Sequence, residues 1–94
     1  MSEPQISDNP QQHRFEVRLD GELAAQAQYR LQGDTLVFTH TEVDPRYEGK
    51  GLGSRLAKHA LDDVKSRQLK VVAQCKFIAA YIERHAEYAT LLAQ

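Results

Sequence analysis

Tyr47-Glu48-Gly49-Lys50-Gly51-Leu52-Gly53-Ser54 is the stretch on which the reading of this chain turns. Glycine recurs at every second position, between a strand-like run ending at Val43 and a helical pattern starting near Leu52. Glycine removes the Cβ atoms that keep a ligand away from backbone, and it permits positive φ where the chain turns sharply. The helix that follows leaves its first N–H groups without internal partners and carries a partial positive charge at that end. Glycine turn and helix start together make a cradle for a phosphate or pyrophosphate. The plainer alternative is a tight strand-to-helix turn that happens to be rich in glycine.

Two better-known cradles are excluded by spacing. A Walker A loop needs a hydroxyl residue after its lysine, but Lys50 is followed by Gly51. The dinucleotide fingerprint needs Gly-x-Gly-x-x-Gly, and this loop reads Gly-x-Gly-x-Gly. What remains is an anionic cofactor gripped mainly by backbone.

Working outward, the segment before the loop alternates. Residues 1–13 carry Pro4, Pro10 and mostly polar side chains, and are expected to be a flexible tail, with one domain over 14–94. Phe15, Val17 and Leu19 alternate with polar neighbours, Asp20-Gly21 supplies a hairpin turn, and Leu23, Ala25, Ala27, Tyr29 and Leu31 continue the alternation. Gly33-Asp34 makes a second turn before the strand Leu36 to Val43, which Asp44-Pro45 ends. These runs predict a three-stranded antiparallel meander.

After the loop, Leu52, Leu56, Ala57, Ala60, Leu61 and Val64 recur at helical spacing, and Gln68 closes the helix. Leu69 to Cys75 reads as a short buried strand, parallel to the third because a helix connects them. A second helix runs from about Phe77 to Arg84, and a last helical turn holds Leu91 and Leu92. The fold class is therefore α+β, a mixed sandwich in which the meander is followed by a β-α-β crossover and a C-terminal helix.

Composition narrows the function classes. The formal net charge of -1 does not favour non-specific nucleic-acid binding. Positive charge is nevertheless concentrated around the loop and its helix, where Arg46, Lys50, Arg55, Lys58, Lys65, Arg67 and Lys70 face Glu48, Asp62 and Asp63. That excess suits an anionic ligand at the helix start, or it is a solvated helix face. No apolar run is long enough for a membrane span, and the start of the chain lacks a signal-peptide pattern. The single cysteine, Cys75, excludes an internal disulfide framework and fits a reducing compartment, so a cytoplasmic protein is expected. No Cys/His spacing suggests zinc.

In series, the strand ending Thr41-Glu42-Val43-Asp44-Pro45, the loop Glu48-Gly49-Lys50-Gly51-Leu52-Gly53, the helix and strand, and the helix carrying Tyr81 resemble the GNAT superfamily of acyl-CoA N-acyltransferases. Gly51 and Gly53 fit the glycines of its signature loop, and Glu48 stands where the family usually has Arg or Gln. The resemblance covers roughly Leu36 to Tyr88. It is closest to compact stand-alone N-acetyltransferase-like proteins, through Glu48 to Gly53 and through Tyr81-Ile82-Glu83-Arg84-His85-Ala86-Glu87-Tyr88.

The resemblance implies an acetyltransferase with acetyl-CoA as donor and an amine as acceptor. The backbone of Glu42 and Val43 would hold the pantetheine arm and polarise the thioester carbonyl. The amides from Glu48, Gly49, Lys50, Gly51, Leu52 and Gly53 to Ser54 would hold the pyrophosphate. Tyr81 would lie near the coenzyme sulfur and protonate the leaving thiolate; otherwise it is a packing residue. His40 and Glu42, two apart on one strand, share a face and are candidates for base or water-positioning work, or form a simple polar pair. His85 is read as a cap of the Tyr81 helix or as catalytic. Cys75 is a buried small hydrophobe, or an acyl relay activated by Lys76 or the next helix start.

Only the Asp20-Gly21 turn separates Leu19 from Leu23, where typical members insert two helices that wall the acceptor site. A shallow site suits a protein lysine or a polyamine. The residues leave the acceptor and the oligomeric state open. Other readings are a CoA-binding sensor or interaction module with little or no catalysis, and an interaction domain whose glycine loop is only a turn.

Overall fold

Wherever apolar residues alternate the chain is extended, and wherever they recur at three and four it is helical. The computed structural model describes residues 3–93. Five strands form one sheet in the order of the chain: β1 Gln5–Asn9, β2 Arg14–Leu19, β3 Glu22–Gln32, β4 Thr35–Val43 and β5 Lys70–Ala73. β1 to β4 are antiparallel neighbours, and β5 runs parallel to β4 after a crossover through α1, Leu52–Ser66. Helix α2 spans Lys76–Arg84, and a 3-10 turn over Ala86–Leu91 follows. This is the expected α+β architecture with one strand added.

The added strand corrects the expected tail. Gln5–Asn9 pairs with β2 from Gln5↔Arg18 to Asn9↔Arg14, and the chain then turns through Pro10–Gln12. Met1 and Ser2, also assigned to the tail, lie outside the described residues. Alternation could not reveal β1 because it offers one apolar residue, Ile6. Polar side chains secure it instead. The Tyr29 hydroxyl donates to Asp8 Oδ1 at 2.6 Å, Arg67 Nη1 reaches Asp8 Oδ2 at 3.4 Å, and Asn9 Nδ2 donates to Glu16 Oε2 at 3.0 Å.

A single apolar cluster joins Phe15, Val17, Ala27, Tyr29, Leu36 and Phe38 of the sheet to the buried stripe of α1. All the α1 residues picked out by spacing, Leu52 to Val64, are buried. Gln68, at φ 59, closes α1: its amide donates to Lys65 O at 3.1 Å and that of Leu69 to Val64 O at 3.1 Å. Ile78, Tyr81, Ile82, Tyr88 and Leu91 enter the same cluster from the C-terminal elements. Leu31 continues the alternation of β3 but is half-exposed. Beyond the 3-10 turn, Leu92 bridges to Val71 and the Ala93 amide donates to Val71 O at 2.8 Å, so this segment lies along the outer edge of β5.

The other face of the sheet is polar. Register places Arg14, Gln28 and His40 in one row and Glu16, Gln26 and Glu42 in the next. Glu16 is buried, and its carboxylate accepts from Arg14 Nε at 2.7 Å, Asn9 at 3.0 Å and Arg18 Nε at 3.1 Å. Burial pushes this carboxyl up, but Arg14, Asn9 and Arg18 together hold it below the usual range.

Two substitutions test this packing. A Cβ at Gly53 would lie 2.8 Å from Phe77 Cζ, so the Phe77 ring sits against α1 where Gly53 is bare. Gly53→Ala is expected to cost about 1–3 kcal/mol in denaturant unfolding, with part recovered by adding Phe77→Leu; an unchanged midpoint would show that the ring yields freely. Glu16→Gln is expected to cost about 1–2 kcal/mol at neutral pH. Because the folded carboxyl is depressed, the wild-type advantage is present above the unfolded Glu value of about 4.3 and is lost as pH falls through the folded value. An advantage that persists at lower pH would refute the assignment.

Candidate functional site

The glycines of the loop do different jobs. Gly49 at φ 85 and Gly51 at φ 74 occupy the left-handed region, and a Cβ at either would meet nothing within 4 Å. They shape an open turn, whereas Gly53 lies inside α1 and serves its contact with Phe77. Arg55 is the first residue to donate within the helix, to Gly51 O at 3.1 Å. No hydrogen bond from the amides of Gly49, Lys50, Gly51, Leu52, Gly53 or Ser54 is present among the described residues. The Glu48 amide is different: it donates to Pro45 O at 3.4 Å, and its side chain is exposed.

Electrostatics at this helix end run against ordinary helix design. No side chain caps α1 and no acid lies in its first turn. Lys50 and Arg55 flank it instead, and neither has an ion pair among the described residues, whereas Arg46, Lys58 and Arg67 are each paired with a carboxylate. An anion at this point would relieve both the bare amides and the excess positive charge. Val43, Tyr47 and Phe77 wall the cradle, which measures about 260 Å³.

Just before the loop, the sheet opens. β4 and β5 pair only as far as Phe38↔Ala73. The amides of Gln74 and Cys75 both donate to Phe38 O at 3.1 Å, and β5 then gives way to α2. Thr39 is the extra residue of a bulge opposite Gln28 and Tyr29, and Thr39 to Val43 have no strand partner on the β5 side. At the root of this gap the Cys75 thiol donates to Thr41 Oγ1 at 3.1 Å. A strand edge with free amides and carbonyls therefore leads directly into the cradle.

The remaining candidates fall in two places. His40 Nε2 and Glu42 Oε1 are 3.3 Å apart on the polar face of β4, both more than half exposed. Tyr81 is buried, with its ring stacked on His85 at 4.1 Å and tilted against Tyr88 at 6.1 Å. It does not line the cradle. Its hydroxyl is distinctive all the same. Those of Tyr29, Tyr47 and Tyr88 each donate to a carboxylate, at 2.6, 3.1 and 2.6 Å. The Tyr81 hydroxyl makes no hydrogen bond to a described residue, and among the described residues no buried side-chain polar atom is left unsatisfied, so it reaches solvent. Burial pushes this phenol up, against a downward pull from Lys58, so it stays protonated at neutral pH. His85 caps α2 through its backbone amide, which donates to Tyr81 O at 3.0 Å.

Thr41 and Phe77 were not singled out from the sequence. Phe77 reads there as one more apolar helix residue, and the partnership of Thr41 with Cys75 spans the crossover.

Comparison with known proteins bears on the family and the fold. The GCN5-related N-acetyl-transferase family profile matches residues 14–91. Protein NATD1 of Mus musculus is 35% identical over 82 residues, covering 85% of this chain and 74% of that protein. Protein NATD1 of Gallus gallus is 35% identical over 83 residues, covering 86% and 76%. The fold matches the solution structure of a GCN5-like protein from Staphylococcus aureus with TM-score 0.72 and 22% identity, over 95% of this chain and 87% of that one. The ribosomal-protein-S18-alanine N-acetyltransferase of Escherichia coli matches at TM-score 0.60 and 28% identity, over 64% of this chain and 39% of that enzyme. With an open strand edge feeding a glycine cradle, and with these relatives, the chain belongs to the GCN5-related N-acetyltransferase family.

Proposed function

We propose that this protein transfers the acetyl group of acetyl-CoA to a primary amine by direct attack in a ternary complex. The observation that carries this reading is the continuity of the open β4 edge with the bare amides of Gly49 to Ser54. These groups fit coenzyme A, whose pyrophosphate needs N–H donors and positive potential, and whose pantetheine amides need a strand edge. When bound, the thioester supplies the activated acetyl group.

The chain's own residues do the rest. Amides of the α1 start hold the pyrophosphate, and the edge at Glu42 and Val43 orients the arm. Glu42, with His40 beside it, takes the proton that the attacking ammonium must lose. The Tyr81 hydroxyl, kept protonated by burial and free of protein acceptors, donates to the departing thiolate. A second reading is favoured by the place of Cys75 at the root of the gap, against Thr41: the thiol would accept the acetyl group before the amine does.

Calorimetric titration with CoA is expected to show micromolar binding, about −8 kcal/mol. Ser54→Asp places an acid in the first turn of α1, so it should weaken binding about tenfold without lowering the thermal midpoint. Equal binding by the variant would mean that the helix start does not hold the phosphates, and no binding by the wild type would remove the donor.

For turnover, Tyr81→Phe and Glu42→Gln are each expected to lower kcat by roughly 100-fold; unchanged rates in both would overturn the acid and base roles. Direct transfer survives Cys75→Ala, whereas a relay is abolished and leaves an acetyl adduct on the wild type by mass spectrometry. CoA binding with no amine turned over would mark a binding module.

A further inference from the structure

Val43 separates two concavities. One is the cradle; the other is a hollow of about 210 Å³ between the ends of β3 and β4. The second is built by a bulge at Ala24, the extra residue opposite Val17 and Arg18, and is fastened where the Asp44 amide donates to Ala24 O at 2.8 Å.

Its lining is amphipathic. Leu23, Ala24 and Pro45 offer an apolar wall, Glu42 and Asp44 offer carboxylates, and among the described residues no lysine or arginine lines it. The neighbouring cation, Arg46, is committed, at 3.1 Å from Glu22 and 3.2 Å from Asp44, with its guanidinium over the Tyr47 ring. Hydrogen bonds from Arg46 hold the Asp44 carboxyl below its ordinary range, so it is ionised at neutral pH. Arg18 stands opposite Leu23 and Arg14 donates to Gln26, and both are paired with Glu16. Glu16, Glu22, Glu42 and Asp44 against Arg14, Arg18 and Arg46 still leave negative charge in excess beside the place where the arm and the base would meet.

We infer that this hollow is the acceptor subsite, and that it selects a primary alkylamine carrying a second positive charge along its chain. This rests on the acetyltransferase reading above. Methylenes lie on the Leu23 and Pro45 wall, and the distal ammonium faces Asp44, which leaves Glu42 to the near amine. The near amine, after giving its proton to Glu42, attacks the thioester carbonyl. A C–N bond forms, the C–S bond breaks with its electron pair on sulfur, and that thiolate takes its proton from Tyr81. The second proton shed by the attacking nitrogen returns through solvent to the Tyr81 phenolate. A free polyamine and a lysine in a basic peptide segment share this chemistry.

The test compares cadaverine with δ-aminovalerate, its analogue of like length in which a carboxylate replaces one ammonium. In amide NMR titrations of the full chain, cadaverine should shift Ala24, Ala25 and Val43 saturably and bind at least about tenfold more tightly. Glu42→Gln with Asp44→Asn should erase the preference. Equal binding of the two probes, or shifts confined elsewhere, overturns the subsite.

With acetyl-CoA present, kcat/KM should rank the two amines in the same order, and spermidine and a lysine-bearing basic peptide then distinguish the two sources. Cadaverine bound but neither source acetylated overturns the acceptor role. Failure of the underlying reading looks different: CoA itself does not bind, whatever the diamine does.

Discussion

One carbonyl oxygen receives two amides: Phe38 O is bonded by both Gln74 and Cys75. That shared acceptor ends the parallel ladder, because no carbonyl further along β4 is taken up by β5. The divergence leaves Thr39 to Val43 with an unpaired edge inside a sheet that is otherwise continuous. It also sends the chain into α2, whose first turn brings Phe77 against Gly53 at the start of α1. The opened strand edge, and the seat of Phe77 against the start of α1, are thus consequences of one interruption. A bulge at Thr39, on the opposite side of β4, lets the same strand stay paired with β3 while its side chains change step.

The site is held at a cost. A helix start with Gly51 as its cap and cations beside it gives up the side-chain cap that a serine or aspartate would supply, roughly a few tenths of a kcal/mol relative to glycine in ordinary helices. The rest of the molecule compensates with a cluster that reaches from Phe15 to Leu91 and with carboxylate contacts at its margins. Three of the tyrosines are tied to acids in this way, at β1, at the loop and at the 3-10 turn. Little of this stabilisation comes from Gly49 to Ser54 themselves, so these residues can stay electrostatically unfavourable without unfolding the chain.

Most of the fold was legible because burial imposes period. Phe15 to Ala27 and Leu52 to Val64 announce their elements, and the glycine loop announces its own position through spacing. β1 was not legible, since Ile6 alone cannot make a pattern and its strand depends on polar contacts, with Asp8 reaching Tyr29 and Arg67 far along the chain and Asn9 reaching Glu16 on the next strand. Bulges at Ala24 and Thr39 were also hidden, because an extra residue changes register without changing composition. The cradle could therefore be read from local sequence. The hollow beside it and the Thr41–Cys75 contact could not, for each needs residues brought together by strand pairing or by the crossover.

The segment after the 3-10 turn has an effect beyond closing the core. By laying Leu92 and Ala93 along Val71, it occupies hydrogen-bonding groups that β5 would otherwise display at the rim of the sheet. Growth of the sheet by strand addition is thereby obstructed on that flank. The opposite flank is β1, five residues long and mostly polar, a poor template for a neighbouring chain. A protein that must keep an unpaired strand edge in its interior thus denies the same chemistry to its perimeter, and the backbone it leaves available is the stretch where a ligand, rather than another molecule of itself, would dock.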